Sequence, residues 1–244
     1  MNQPGMNQPA KSLLVVQHTD SEFLGRMEDH LEGRGIRFTY LRPHTTAGAL
    51  PSSARFTDGL VLLGGGPWGA AGGRDLPTLA QETALAKECL ALGTPVVGIG
   101  LGAQVLAIAG GGGVRPAPLT FALSEARRTA EDALNGYLPD TFPIAVYMRD
   151  WPEPPDYARI LAEDDEGRPV LFQIGDNCFG FVGHPGAKRA MIEDLLMEFE
   201  ESPAEVGAGL DAMARMQPAF EDALVRIMTG LVQRTQWMAR EDAS

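Results

Sequence analysis

The fold of this chain is decided by the stretch TPVVGIGLGAQVLAIAGGGGV, residues 94–114. Residues 95–99 are short and apolar and predict a buried strand, and residues 102–109 predict a helix. The glycine-rich turn 98–102 between them lets the chain reverse sharply from strand to helix. Such a turn exposes its central residue, Gly100, at the end of a sheet and beside a helix N-terminus.

Segments typical of strands and helices alternate on both sides of this unit. Apolar or alternating runs predict strands over 12–17, 36–41 and 59–63, and helical spacing predicts helices over 21–34, capped by Ser21, and over 77–92. Beyond Gly113 we expect shorter, partly antiparallel strands over 142–148, 158–163, 169–174 and 178–183, with a hairpin turn at Asp176-Asn177. Helices over 187–200 and 218–238 then flank a linker over 203–211. The alternation implies parallel strands with right-handed crossovers, and hence an α/β fold.

Composition limits the kinds of protein that this chain can be. The 244 residues carry 20 basic and 32 acidic side chains, a net charge of −12, so we expect no nucleic acid as a partner. No run approaches the ~20 apolar residues of a membrane span. Residues 1–11 are interpreted as a flexible tail without an apolar signal core, which favours a cytoplasmic protein. The two cysteines suit neither a disulfide framework nor a metal cluster, so we expect no metal and no cofactor.

Acidic residues are concentrated near the C-terminus, where residues 193–244 contain 11 acidic and 4 basic side chains. The simpler interpretation is a solvated helical cap, and the alternative is a surface on which a partner docks. Met213 and Met216, expected to be exposed, favour an interface, which could be that of a homo-oligomer. Methionine is just as often core filler.

Two other segments complete a candidate site with Gly100. DGLVLLGGGPWG, residues 58–69, ends a predicted strand in the glycines Gly64–Gly66, and FGFVGHPGAKRAMIEDL, residues 179–195, places His184 after another strand. The N–H group that follows Gly100 and those of the glycine turn could stabilise an oxyanion, and His184 could act as a base. We call the turn 98–102 the elbow. The helix N-terminus that follows it would lower the pKa of a thiol at its centre.

In this order and spacing the motifs resemble those of class I glutamine amidotransferases, and above all of stand-alone amidotransferase-like proteins. The matching segments are Gly65-Gly66-Pro67, Leu76-Pro77-Thr78-Leu79, PVVGIGLGAQ over 95–104, and Gly183-His184-Pro185-Gly186. The resemblance covers about residues 12–200 and implies a flavodoxin-like α/β domain with a mostly parallel central sheet and flanking helices. An acidic helical extension over 201–244 would follow it. In the family a cysteine attacks the amide of glutamine and forms a γ-glutamyl thioester.

Departures from the family pattern fall on the catalytic triad. The resemblance puts Gly100 at the position of the nucleophilic cysteine and Gly186 at the position of the glutamate that orients the base. The base itself is retained as His184, which is either a surviving base or a structural remnant. Two of the three triad positions therefore have no side chain.

The rest of the pocket matches the family. The resemblance implies that Gly66 and Leu101 supply the oxyanion donors, in a turn that includes Gly65. It also implies that Gln104 is the glutamine that contacts substrate. A γ-glutamyl pocket could thus persist without the group that attacks the amide.

Three functions remain open at this point. The first is a pseudoenzyme that binds glutamine or a γ-glutamyl amide and serves as a binding or regulatory subunit of a synthetase or synthetase-like enzyme. The second is a disabled or variant form of an active glutamine or γ-glutamyl-amide hydrolase with a Cys–His mechanism. The third is a structural subunit with a vestigial pocket, and an unconventional chemistry is a further alternative.

A substitute for the missing thiol is hard to find in the sequence. Cys89 lies in the middle of a predicted helix, and Cys178 lies six residues before His184, so both are expected in the core or at its edge. The remaining histidines, expected to be ordinary surface or loop residues, are His18, His30 and His44.

Overall fold

The computed structural model describes residues 11–45, 49–204 and 206–238. The predicted tail 1–11 therefore lies outside the described residues except for Lys11, as do the last residues of the C-terminal extension, 239–244. The strands are β1 (Ser12–Val16), β2 (Arg37–Leu41), β3 (Gly59–Leu62), β4 (Val96–Ile99), β5 (Gly113–Arg115), β6 (Thr120–Arg128), β7 (Thr141–Met148), β8 (Trp151–Glu153), β9 (Arg159–Glu163), β10 (Pro169–Ile174) and β11 (Cys178–Phe181). The α-helices are α1 (Met27–Glu32), α2 (Leu79–Leu92), α3 (Leu101–Ala109), α4 (Arg189–Glu198) and α5 (Val206–Arg234).

Nine of these strands form one sheet in the order β2-β1-β3-β4-β11-β10-β9-β6-β7. Neighbours are parallel from β2 to β11 and antiparallel from β11 to β7. The predicted hairpin joins β10 to β11, with Ile174 opposite Cys178. The predicted α/β fold with a largely parallel central sheet and flanking helices is confirmed.

Helices cover both faces of the sheet because the buried strands carry apolar side chains in both directions. Along β3 and just beyond it, Leu60 and Leu62 pack in a cluster with residues of α2 and α3. Val61 and Leu63 point the other way, into a cluster with residues of α1 and α5. The sheet is thus the middle one of three layers. Its central strands are shielded from water on both faces.

The residues of the candidate site follow four parallel strands and lie at one edge of the sheet. β1, β3, β4 and β11 are neighbours and run in the same direction. The segments that follow them therefore meet at the carboxyl edge, where ligands bind in open α/β sheets. These segments are the loop 17–26, the glycine turn 64–66, the elbow at Gly100 and the turn with His184.

The helix predicted over 21–34 is wrong in its first half, since α1 begins at Met27. Ser21 caps no helix, because its hydroxyl donates to the Glu198 carboxylate of α4 at 2.5 Å. The segment is held irregular by contacts with other parts of the chain, including a hydrogen bond from the Arg26 N–H to the Gly186 carbonyl at 3.0 Å. Tertiary contacts have overridden a helical pattern here.

The linker predicted over 203–211 is also wrong, since α5 begins at Val206 and continues for 29 residues. Gly209 lies within this helix, and a Cβ there would come within 2.5 Å of the Phe121 ring of β6, so the glycine allows close packing. The expectation of an exposed Met213 is wrong as well, since its side chain is fully buried, and Met216 is half-buried. Among the described residues, no helix combines the length and the apolar character that crossing a bilayer requires.

Candidate active site

The elbow between β4 and α3 is sharp and tightly packed. Gly100, at its centre, has φ +55° and ψ −112°, a left-handed region that favours glycine. A Cβ on Gly98 would collide with the Gly102 carbonyl, and one on Gly102 would collide with the Leu62 carbonyl. A Cβ on Gly100 would meet the Gly64 Cα at 3.5 Å, which is an ordinary contact. The two ends of the elbow therefore require glycine, whereas its centre has room for a side chain.

The glycine turn 64–66 faces the elbow and already has an acceptor from within the chain. The Gly66 N–H donates to Glu22 Oε2 at 2.5 Å. The Glu22 carboxyl group is in close contact with the turn, since a Cβ on Gly64 would overlap its Oε1 atom. Glu22 is buried, and burial raises its pKa to about 7 even though the Gly66 N–H and the charge of His18 lower it. Glu22 was not among the predicted site residues, since residues 21–34 were interpreted as one helix.

His184 follows β11 and is buried, with both ring nitrogens bound to backbone groups. Its Nε2 lies 2.8 Å from the Phe23 carbonyl, and its Nδ1 accepts the Gly186 N–H at 3.0 Å. Since Nδ1 accepts, the proton of the neutral ring is on Nε2, which donates to Phe23. Burial lowers the pKa of His184 to about 4. The imidazole is therefore neutral at pH 7, and taking a proton from another group would break one of these bonds.

Gly186 lies against the backbone where the loop 17–26 ends and α1 begins. A Cβ at this position would come within 2.6 Å of the Leu24 carbonyl and within 2.9 Å of the Met27 nitrogen. A carboxylate side chain at position 186 would therefore displace the segment 24–27. The position that the resemblance gives to the orienting acid is filled by packed backbone.

The remaining predicted pocket residues are buried around the elbow. A Cβ on Gly65 would collide with the Leu101 side chain, so the glycine turn and the start of α3 are in close contact. Gln104 is fully buried, and its Nε2 donates to the Arg149 carbonyl at 2.6 Å. Its Oε1 has no hydrogen-bond partner among the described residues. Leu101 and Gln104 thus lie on the first turn of α3 directly after Gly100, and Gly65 packs against Leu101.

The prediction that His18 is an ordinary surface residue is wrong. His18 is buried after β1, with Nε2 2.8 Å from Glu82 Oε2 of α2 and Nδ1 3.0 Å from the Gly64 carbonyl. Both nitrogens face acceptors, an arrangement that favours the doubly protonated, charged ring. Burial lowers the pKa of His18, but the charge and hydrogen bond of Glu82 outweigh burial and raise it above its ordinary value. Through its Nδ1 atom and the Gly64 carbonyl, His18 connects this pair to the glycine turn.

A small cavity marks the centre of the site. Glu22, Gly100, Tyr147 and His184 are among its lining residues, and its volume is about 20 Å³. That is room for about one water molecule. Helix α4 closes it with Leu195, which is also a lining residue. In the described state, the pocket is too small for a glutamine side chain.

The two cysteines lie apart from this cavity. Cys89 is buried in α2 and Cys178 in β11, and neither lines the cavity beside Gly100. Burial raises the pKa of Cys89 to about 12 and that of Cys178 to about 11. Both thiols are therefore protonated and unreactive at pH 7. Within the described ranges, no three His, Cys, Asp or Glu side chains are grouped as metal ligands.

An elbow facing a glycine turn at the carboxyl edge of a parallel sheet is typical of α/β domains that act on carbonyl compounds. The model of the family glutamine amidotransferase class-I matches residues 18–185. The chain therefore belongs to the class I glutamine amidotransferase family.

Solved structures of amidotransferases share the fold. A glutamine amidotransferase from Methylobacillus flagellatus is 25% identical, with a TM-score of 0.77 over 95% of this chain and 97% of that one. A glutamine amidotransferase from Thermotoga maritima is 20% identical, with a TM-score of 0.73 over 94% and 100%. A candidate GMP synthase subunit from Thermoplasma acidophilum is 18% identical, with a TM-score of 0.55 over 87% and 99%. No curated protein matches the chain significantly.

Proposed function

We propose that this chain is a class I glutamine amidotransferase domain without thiol-dependent glutaminase activity, which serves as a binding or regulatory subunit. The observation that carries the proposal is the glycine at the centre of the elbow, where the family motif has its cysteine. Glycine offers no atom to attack an amide carbonyl. Loss of a nucleophile removes about 10⁴–10⁶ in rate and leaves what binding and the oxyanion donors provide.

The surroundings of His184 support the same proposal. A general base needs a pKa near the working pH and a free nitrogen within reach of the proton that it takes. The pKa of His184 is about 4, and its ring nitrogens are engaged by Phe23 and Gly186. We therefore assign His184 a structural role, in which it joins the loop 17–26 to the turn after β11.

The proposed partner is a synthetase or synthetase-like enzyme in the cytoplasm. The likeness of the fold to a candidate GMP synthase subunit motivates this class of partner. The proposed ligand is glutamine or a γ-glutamyl amide, because Gly66, Leu101 and Gln104 keep the positions that the family motif gives to its oxyanion and substrate contacts. The cytoplasm suits free thiols such as those of Cys89 and Cys178.

Release of ammonia from glutamine, and of aniline from γ-glutamyl anilide, tests the proposal. We expect wild-type protein to show no turnover above a protein-free blank. Gly100→Cys restores a thiol, and Gly100→Ala is its matched control, since it carries the same Cβ and backbone without sulfur. Turnover by the wild type that survives further purification would overturn the proposal.

One observation favours a second candidate, a variant of an active hydrolase with a Cys–His mechanism. The nearest atom to a Cβ at position 100 is at 3.5 Å, so a cysteine fits the elbow. If this candidate is correct, Gly100→Cys hydrolyses glutamine and Gly100→Ala does not. If both variants stay inactive, the site lacks more than its nucleophile, because the pKa of His184 is about 4 and both of its ring nitrogens are bonded to the backbone.

A further inference from the structure

The Gly66 N–H, a predicted oxyanion donor of the candidate site, is already hydrogen-bonded within the protein, to Glu22. Above its pKa of about 7, Glu22 is a carboxylate, and its hydrogen bond from the Gly66 N–H is then charge-assisted and stronger than a neutral one. The Glu22 carboxylate accepts the Gly66 N–H and covers Gly64. A ligand carbonyl cannot reach the same N–H while Glu22 stays in place.

The loop that carries Glu22 is hydrogen-bonded to helix α4 through the side chain of Glu198. Glu198, at the end of α4, accepts three hydrogen bonds from two consecutive loop residues. These come from the Asp20 N–H at 3.0 Å, the Ser21 N–H at 3.0 Å and the Ser21 hydroxyl at 2.5 Å. Residues 20 and 21 are therefore attached to the C-terminal end of α4, whereas the later part of the loop is attached through Phe23 to His184.

The same end of α4 covers the glycine turn. A Cβ on Gly66 would meet the Phe199 ring at 2.9 Å and the Leu195 side chain at 3.3 Å. Phe199 directly follows Glu198, so the fastening and the cover belong to one segment. Movement of this segment would free residues 20–22 and uncover Gly66 at the same time.

We propose that the segment 20–22 is a latch whose Glu22 side chain closes the amidotransferase pocket, and that Glu198 holds this latch shut. A ligand with a carbonyl or carboxylate oxygen, such as a γ-glutamyl amide, reaches the Gly66 N–H only when Glu22 withdraws. The inference rests on the proposed function for the identity of the ligand. The latch itself is defined without any ligand.

The latch has a direct readout in the amide hydrogen exchange of the glycine turn, measured by mass spectrometry on a peptide containing residues 63–68. Glu198→Ala removes three hydrogen bonds and should speed this exchange about ten-fold at neutral pH. Glu193→Ala is the matched control, since Glu193 lies on the same helix and pairs with Arg189 instead of the loop. Equal exchange in the two variants would overturn the proposal.

A second variant tests the occupant directly. Glu22→Ala removes the acceptor of the Gly66 N–H and should raise the same exchange, whereas Glu22→Gln keeps an oxygen there and should raise it less. If Glu22→Ala fails to fold, Glu22→Gln and Glu198→Ala still decide the question. Unchanged exchange in both would refute the latch.

Calorimetry with glutamine separates the latch from the proposed function. We expect the folded Glu22→Ala or Glu198→Ala variant to bind glutamine about ten-fold more tightly than the wild type, because no binding energy is used to open the latch. If exchange responds but no variant binds glutamine, the latch is supported and the proposed ligand is wrong. If exchange does not respond, the latch is wrong whatever glutamine does.

Discussion

Acidification should destabilise this protein through His184, by an amount that can be worked from its surroundings. In the folded chain the pKa of His184 is about 4, against an ordinary value of 6.5. Each pKa unit corresponds to about 1.4 kcal/mol, so the neutral ring contributes about 3 kcal/mol to the free energy of unfolding. Because the folded pKa is lowered, this contribution is fully present above pH 6.5 and is lost as the pH falls through about 4.

The measurement compares urea unfolding of the wild type and His184→Gln from about pH 7.5 down to about pH 4.5. The difference in unfolding free energy between the two proteins should shrink by roughly 2–3 kcal/mol over this range. His44→Gln is a control that removes a histidine outside the pocket. NMR of protein labelled with ¹⁵N-histidine should show a neutral ring protonated on Nε2 at pH 6. An imidazolium at that pH, or a difference that does not vary with pH, would refute the assigned geometry.

Three further perturbations test the packing of the site. Glu22→Gln should reveal a pH dependence opposite to that of His184, because burial raises the pKa of Glu22 to about 7. Relative to this variant, the free energy of unfolding of the wild type, measured in urea, should fall by up to about 3 kcal/mol as the pH rises from about 5 to about 8. Gly186→Ala should cost about 1–3 kcal/mol in the same assay, whereas Gly73→Ala, whose Cβ would have nothing within 4 Å, should cost less than about 1 kcal/mol. His18→Gln should cost about 3–5 kcal/mol, because it leaves Glu82 buried without its charged partner, and a loss below about 1 kcal/mol would contradict the buried ion pair.

The elbow and the parallel strands could be predicted because their signals are local. A short apolar run followed by closely spaced glycines defines a strand-to-helix turn, and Gly100 lies in such a turn. The order of β1, β3 and β4 in the sheet follows from the preference for short right-handed crossovers. The antiparallel half was predicted less completely. β6 was missed, since its residues are mostly polar and alternate between half-buried and exposed.

The errors concern contacts between residues that are distant in the chain. His18 finds Glu82 64 positions away, and no spacing rule connects them. The glycines near 207 indicated a linker, but Gly209 packs on Phe121, and this contact outweighs the low helix propensity of glycine. Glu22 was not recognised because residues 21–34 have helical spacing. In the structure Ser21 binds Glu198 instead, and the helix begins only at Met27. Such residues could be found only once the carboxyl edge of the sheet had been assembled.

The elbow also bears on how the family motif relates to activity. Its outer glycines are required because Gly98 and Gly102 lie against backbone carbonyls, a demand of packing that exists whether or not amides are cleaved. A non-glycine residue at the centre pays about 1–3 kcal/mol for its positive φ, and glycine avoids this cost. An exchange of the catalytic cysteine for glycine would therefore be selected for by stability alone once catalysis was no longer needed. The outer glycines of the motif therefore record the shape of a turn, and this chain keeps that shape although its centre carries no side chain.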